Sequence, residues 1–219
     1  MRRPNFLQKP FKYINFGAVY WLIGINILVF VIMYFFRREI ISQYLYVLMP
    51  MRPKMVMEHG WVWTFVTYMF VHDPSTLGHI LFNMLGLFIF GRHVERQIGS
   101  KEFLLYYFVT GILAGILSFA AYYFTRNYYV ALIGASGALF AVMLAYAIMF
   151  PTSVIYIWGI LPLRAPVMVL GYTALELFYS LSGGRGNVAH LTHLAGFAFG
   201  WFYFAIRFGV SPWRRLLGR

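Results

Sequence analysis

The sequence predicts an all-α membrane protein: a six-transmembrane-helix bundle with a partly embedded first outer loop. Three observations predict it. The 219 residues are 61% hydrophobic and only 11% charged, where a soluble domain of this size carries about 25% charge. That much apolar surface exceeds what one soluble core can bury, so the remainder faces lipid. The apolar residues also fall into six runs, and the cationic residues cluster beside those runs rather than on one face.

The chain is read as a basic cytoplasmic segment (1–17), a six-helix domain (18–207) and a basic cytoplasmic tail (208–219). The spans are 18–36, 78–94, 102–124, 135–150, 165–182 and 189–207. Arg2, Arg3, Lys9 and Lys12 precede the first span, while Arg207, Arg214, Arg215 and Arg219 end or follow the last. An even number of spans puts both termini on one side, and the positive-inside rule makes that side the cytoplasm. Counting residues at the span ends, 12 of the 18 Lys and Arg lie on that side. The net charge of +12 is therefore assigned to anchoring at anionic lipid. No basic helix face or aromatic-basic platform supports nucleic-acid binding.

The first span is long and lacks a small-residue cleavage site, so it is read as a retained helix rather than a signal peptide. Residues 37–77 are too long for a simple connector. Tyr44, Tyr46, Trp61 and Trp63 suit a structure lying partly in the interface. The second span is interrupted by His79, Asn83 and Arg92. The third carries Gly111 and Gly115, read as a packing face. The fourth, about 16 residues, reaches roughly 24 Å at 1.5 Å per residue, short of a bilayer core of about 30 Å. It carries Gly137, Ala141 and Ala145 at four-residue spacing. The fifth contains Glu176. The sixth carries Gly196 and Gly200 in a G-x-x-x-G pattern that admits close helix approach. SGGRGN at 182–187 is the clearest flexible joint.

The second, fourth and sixth spans all begin on the outer side, so their first turns share one depth. His79 and Asn83 stand at i and i+4 on one face. Ser136 opens the fourth span; His190 and His193 open the sixth. Ionisable residues inside a membrane are costly and mark function. Each has a plainer reading alone: a histidine bonded to a neighbouring helix, a small packing serine, an asparagine joining two helices. Together they supply the parts of acyl transfer. A serine hydroxyl needs a base, and a tetrahedral oxyanion needs aimed donors. The Ser136 backbone N–H lies at a helix start, where donors are unpaired, and the His79 ring and Asn83 amide add side-chain donors. His193 shares a face with Gly196 and Gly200, and packing that face on Gly137 and Ala141 would bring it towards Ser136. His193 is favoured as base, with His190 its competitor.

These residues resemble the rhomboid family of intramembrane serine proteases, over roughly residues 15–207. GASG (134–137) resembles the G-x-S-G nucleophile motif, HLAGFAFG (193–200) the H-x-x-G-x-x-x-G motif, and HILFN (79–83) the H-x-x-x-N of the oxyanion side. GRHVERQIGS (91–100), with Glu95 and Gly99, resembles the turn after the second helix. The resemblance implies a basic six-helix bacterial-type rhomboid. Ser136 would be the nucleophile and His193 the base of a Ser–His dyad. His79, Asn83 and Ser136 would form the oxyanion hole, and Gly134, Gly137, Phe140, His190, Gly196 and Gly200 would support it. Phe140, one turn after the serine, would stack on the histidine. Substrates would be transmembrane proteins cut near the outer face. The fifth span would be a lateral gate and 182–187 a cap. No metal or cofactor is implied, and a bacterial inner membrane is the simplest location.

One departure stands in the first loop, where Trp63-Thr64 replaces the usual Trp-Arg. Glu176 has no counterpart in the dyad. It is read as a polar contact at the gate, with a third catalytic member, a bond to the second span or a position near the outer interface as alternatives. Two rival functions are a non-catalytic rhomboid-like protein binding membrane clients and a transporter; the absence of internal repeats disfavours the latter.

Overall fold

The computed structural model describes residues 6–36, 38–157, 159–182 and 187–217. The proposed cap at 182–187 lies almost wholly outside the described residues. Helix α1 covers Ala18–Phe35, and three short helices follow: α2 (Ile40–Leu48), α3 (Pro53–His59) and α4 (Thr64–Thr67). Helices α5 (Leu77–Gly86) and α6 (Arg92–Ile98) are joined through a π-helical turn at Leu87–Gly91 into one rod. Then come α7 (Ser100–Phe124), α8 (Ser136–Met149), α9 (Ala165–Leu181), α10 (Asn187–Arg207) and α11 (Pro212–Leu216). Three rods among the described residues, Ala18–Phe35, Leu77–Ile98 and Ser100–Phe124, are long and apolar enough to cross a membrane. Ser136–Met149 and Ala165–Leu181 are apolar and shorter.

Large apolar side chains face outward along α1 (Trp21, Leu28, Phe35) and α9 (Leu170, Leu177, Phe178). In water such surfaces would associate; in lipid they are solvated. The interior is built around α8, ten of whose 14 residues are buried. The shortest of the principal helices is thus the central one, enclosed on several sides by longer ones. The small residues explain how closely they approach. A Cβ at Gly196 would lie 2.0 Å from the Gly137 carbonyl oxygen, and one at Gly200 would lie 3.2 Å from Ala141. On α7, a Cβ at Gly111 would meet the Met69 side chain and one at Gly115 the Tyr68 ring. Those glycines therefore seat the first loop, and Gly111 also lets α8 come close, since its Cβ would lie 3.2 Å from Ala138.

The sequence expectation needs amendment in one place. The connector between α8 and α9 is a two-stranded antiparallel hairpin, β1 (Val154–Ile157) with β2 (Leu161–Arg164), in register Val154↔Arg164. Four-residue strands are too short to show a clear alternation. The first loop docks firmly. Met51 and Leu132 exchange backbone hydrogen bonds of 3.1 and 2.8 Å, and the Tyr68 hydroxyl donates to the Gly111 carbonyl at 2.7 Å. No arginine follows Trp63, but Arg52 donates to the Val47 and Tyr46 carbonyls at 3.0 and 2.9 Å. The Trp63 indole donates to Leu48 at 3.0 Å. The loop is anchored from a different position.

Candidate active site

Ser136 is the first residue of α8. What precedes it is held extended by the Met51–Leu132 pairing and by Gly134 N–H donating to the Tyr68 carbonyl at 3.0 Å. The chain then turns into the helix through Gly134 at φ +110°. A side chain there would be strained, and its Cβ would sit 2.7 Å from His79 Nε2. Gly134 therefore permits both the turn and the close approach of the His79 ring.

His193, one helix away on α10, points Nε2 at Ser136 Oγ across 2.7 Å. The Gly196–Gly137 contact one turn further on makes that approach possible. Phe140, one turn along α8 from Ser136, stacks on the His193 ring at 4.3 Å between centroids and 11° between planes. His190 does not join this pair. Its Nδ1 lies 2.6 Å from Glu176 Oε2 and its ring stacks on Tyr179. The same carboxylate reaches His193: Glu176 Oε1 is 3.1 Å from His193 Nδ1. Sequence reasoning left the destination of Glu176 open; the structure turns it towards α10 and away from α5.

His79 and Asn83 lie on α5 at the opposite side of Ser136. Asn83 is buried, and its Nδ2 donates to the His79 carbonyl at 2.8 Å while its Oδ1 has no partner. His79 Nδ1 accepts a long 3.5 Å contact from the Asp73 backbone N–H. His72, which the sequence reading passed over, is fully buried with its ring edge-on to His79 at 4.9 Å. Neither of its ring nitrogens has a well-formed hydrogen bond. Burial, with His79 nearby, pushes its pKa down to about 3, so it is neutral at physiological pH. Its placement seven residues before His79 was the only available signal.

Ser136, His193, His79, Asn83 and Phe140 all border one cavity of about 700 Å³. Its far walls are Met168 and Tyr172 of α9 and Ile155–Ile157 of the hairpin. Its lining is mostly apolar, with His79, Asn83, Ser136 and His193 among its polar residues. Among the described residues, Glu176, His190 and His193 also form a group whose donor atoms lie within 4.8 Å of one another, the composition of a metal site. In the arrangement present, His190 Nδ1 and Glu176 Oε2 are hydrogen-bonded, as are His193 Nε2 and Ser136 Oγ, while His193 Nδ1 is near Glu176 Oε1 without a well-formed hydrogen bond.

Comparison with known proteins agrees with this architecture. The family model of the rhomboid domain matches residues 59–210. Rhomboid-like protein 11, chloroplastic, of Arabidopsis thaliana is 30% identical over 203 residues, covering 86% of this chain and 64% of that protein. RHOMBOID-like protein 12, mitochondrial, of the same plant is 29% identical over 64% of this chain and 44% of its own length. The chain thus spans between about two fifths and two thirds of these relatives. Rhomboid protease GlpG of Haemophilus influenzae is 32% identical over 136 residues, 61% of this chain and 65% of that protein. With the domain match covering more than half its length, the chain belongs to the rhomboid family of membrane proteins.

Proposed function

We propose that the protein is an intramembrane serine endopeptidase that hydrolyses peptide bonds in transmembrane substrates. The observation that carries this reading is the 2.7 Å approach of His193 Nε2 to Ser136 Oγ, both lining a largely apolar cavity. Ser136 Oγ attacks the scissile carbonyl carbon as its proton passes to His193 Nε2, and the carbonyl π pair moves onto oxygen. The unpaired N–H of Ser136 at the start of α8, with Asn83 and His79, stabilises that oxyanion. The imidazolium then protonates the leaving amine. A water molecule, deprotonated by the same ring, releases the acyl group.

Six spans, α1, α5–α6, α7, α8, α9 and α10, place both termini in the cytoplasm and the dyad near the outer face. A substrate helix hides its peptide groups in i→i−4 hydrogen bonds and unwinds locally to be cut. It enters beside α9, whose Met168 and Tyr172 line the cavity. A bacterial inner membrane is the simplest setting, and the proposed steps call on no metal or cofactor.

The test is cleavage of a single-span model substrate in liposomes by purified wild type beside Ser136→Ala. Cleavage by the wild type alone is expected. Silence from both folded proteins over several substrates would instead favour a rhomboid-like protein that binds membrane clients. Equal cleavage by both would rule out Ser136 as nucleophile.

A further inference from the structure

Glu176 is one of only six acidic residues in the chain, and it stands within an apolar helix. A carboxylate there is costly unless its oxygens are well partnered. Its oxygens are divided between two imidazoles of the next helix: Oε2 at 2.6 Å from His190 Nδ1 and Oε1 at 3.1 Å from His193 Nδ1. The Glu176 side chain is 12% exposed. Since His193 Nε2 meets Ser136 Oγ at 2.7 Å, the imidazole stands between carboxylate and hydroxyl.

A neutral imidazole holds one proton, and the partner of one nitrogen decides which. A carboxylate beside Nδ1 keeps the proton there, leaving Nε2 as the acceptor that a serine hydroxyl requires. We propose that Glu176 is a positioning residue for hydrolysis. It holds His193 as the Nδ1–H tautomer and offsets the positive charge on the ring once Nε2 has taken the Ser136 proton. This rests on the reading of Ser136 and His193 as nucleophile and base. The contact to His193 is oblique in the resting arrangement, since His193 Nδ1 makes no well-formed hydrogen bond; such contacts tighten as charge develops. His190 has a complementary part. Its short contact to Oε2 and its stack on Tyr179, 5.2 Å between centroids, hold the carboxylate so that Oε1 is left for His193. Phe140 closes the other side by fixing the plane of the His193 ring.

The test compares Glu176→Gln and Glu176→Ala with wild type and Ser136→Ala. Gln keeps the size of the side chain and removes its charge. We expect kcat for the model substrate to fall by roughly 10²–10⁴, the scale seen when the orienting acid of a serine–histidine pair is neutralised, with KM within about threefold. In ¹⁵N-histidine NMR of the substrate-free protein, His193 should move from the Nδ1–H to the Nε2–H tautomer in the Gln variant. That readout needs no turnover, so it tests Glu176 even where the wild type cleaves nothing. Wild-type kcat in the Gln variant, while Ser136→Ala is inactive, would overturn the proposal and leave the protease reading intact. An unchanged His193 tautomer would overturn it too. So would activity abolished by EDTA and restored by zinc, which would make the three residues a metal site.

Discussion

At the scale of single residues, burying a polar side chain has a cost that depends on its partners. His72 shows what such placement costs. It is fully buried and held neutral, its pKa pushed down to about 3 by burial, whereas in the unfolded chain a histidine protonates near 6.5. The folded-state pKa is the depressed one, so the unfolded state binds the extra proton. The corresponding stability is complete above about pH 6.5 and is lost as pH falls from there towards 3, by a few kcal/mol in total. Apparent thermal stability in detergent, scanned from pH 7.5 to 4.5, should therefore fall more steeply for wild type than for His72→Phe. Parallel curves would show that His72 does not titrate between those limits. Asp73 next to it behaves in the opposite manner. The Ser75 hydroxyl and backbone N–H donate to its carboxylate at 2.7 and 2.8 Å and hold its pKa below the usual range. The turn that presents α5 thus stays charged while its neighbour stays neutral.

At the scale of elements, the decisive contact is between α8 and α10. Gly196 admits no side chain without displacement, since its Cβ would overlap the Gly137 carbonyl oxygen at 2.0 Å. That obstacle is backbone, so one helix must move. Gly196→Ala should lower stability by at least about 1–3 kcal/mol, the usual cost of overpacking. It should also lower turnover by more than tenfold, because the same displacement separates His193 from Ser136. Thermal unfolding and cleavage rate measured together check this; unchanged turnover would mean that the two helices part without disturbing the pair. This element pair was legible in the sequence. Small residues at four-residue spacing and polar residues in the first turns of alternate spans leave few other ways to assemble the helices. The direction of Glu176 was not legible. In a helix apolar on all sides, periodicity does not report which face meets which neighbour, so His190, His193 and α5 were equally available to it. The hairpin at Val154–Arg164 and the short helices of the first loop were hidden for a related reason: each is too brief to show a period. Thr64 stands where an arginine usually follows the tryptophan, and Arg52, twelve residues earlier, bonds loop carbonyls instead.

At the scale of the whole molecule, three carboxylates tie distant parts of the chain together. Glu95 is buried and accepts from the backbone N–H groups of Ala18 at 2.5 Å and Val19 at 3.1 Å, as well as from the Ser100 hydroxyl. A side chain from α6 thus completes the first turn of α1, whose donors would otherwise be unpaired. Gly99 at φ +82° allows the neighbouring backbone to pass close to Ile14. Glu102 accepts from Phe11 N–H, the Tyr203 hydroxyl and two nitrogens of Arg207, joining the amino-terminal segment, α7 and α10. Glu95→Ala should lower the apparent melting temperature markedly, because it leaves buried donors unsatisfied at about 1–3 kcal/mol each. It should do so with little change in KM, since Glu95 does not border the cavity. A thermal scan beside a Michaelis curve decides it, and an unchanged melting temperature would show that water replaces the carboxylate.

The third carboxylate, Glu176, differs because of what carries it. Helix α9 lines the cavity through Met168 and Tyr172 and also brings the acid to His193. If substrates enter through that wall, as proposed above, its outward swing would withdraw the acid from the imidazole. Under that proposal door and trigger are mounted on the same bar: the serine would be disarmed while the entrance stands ajar and rearmed only when the bar swings home behind the guest.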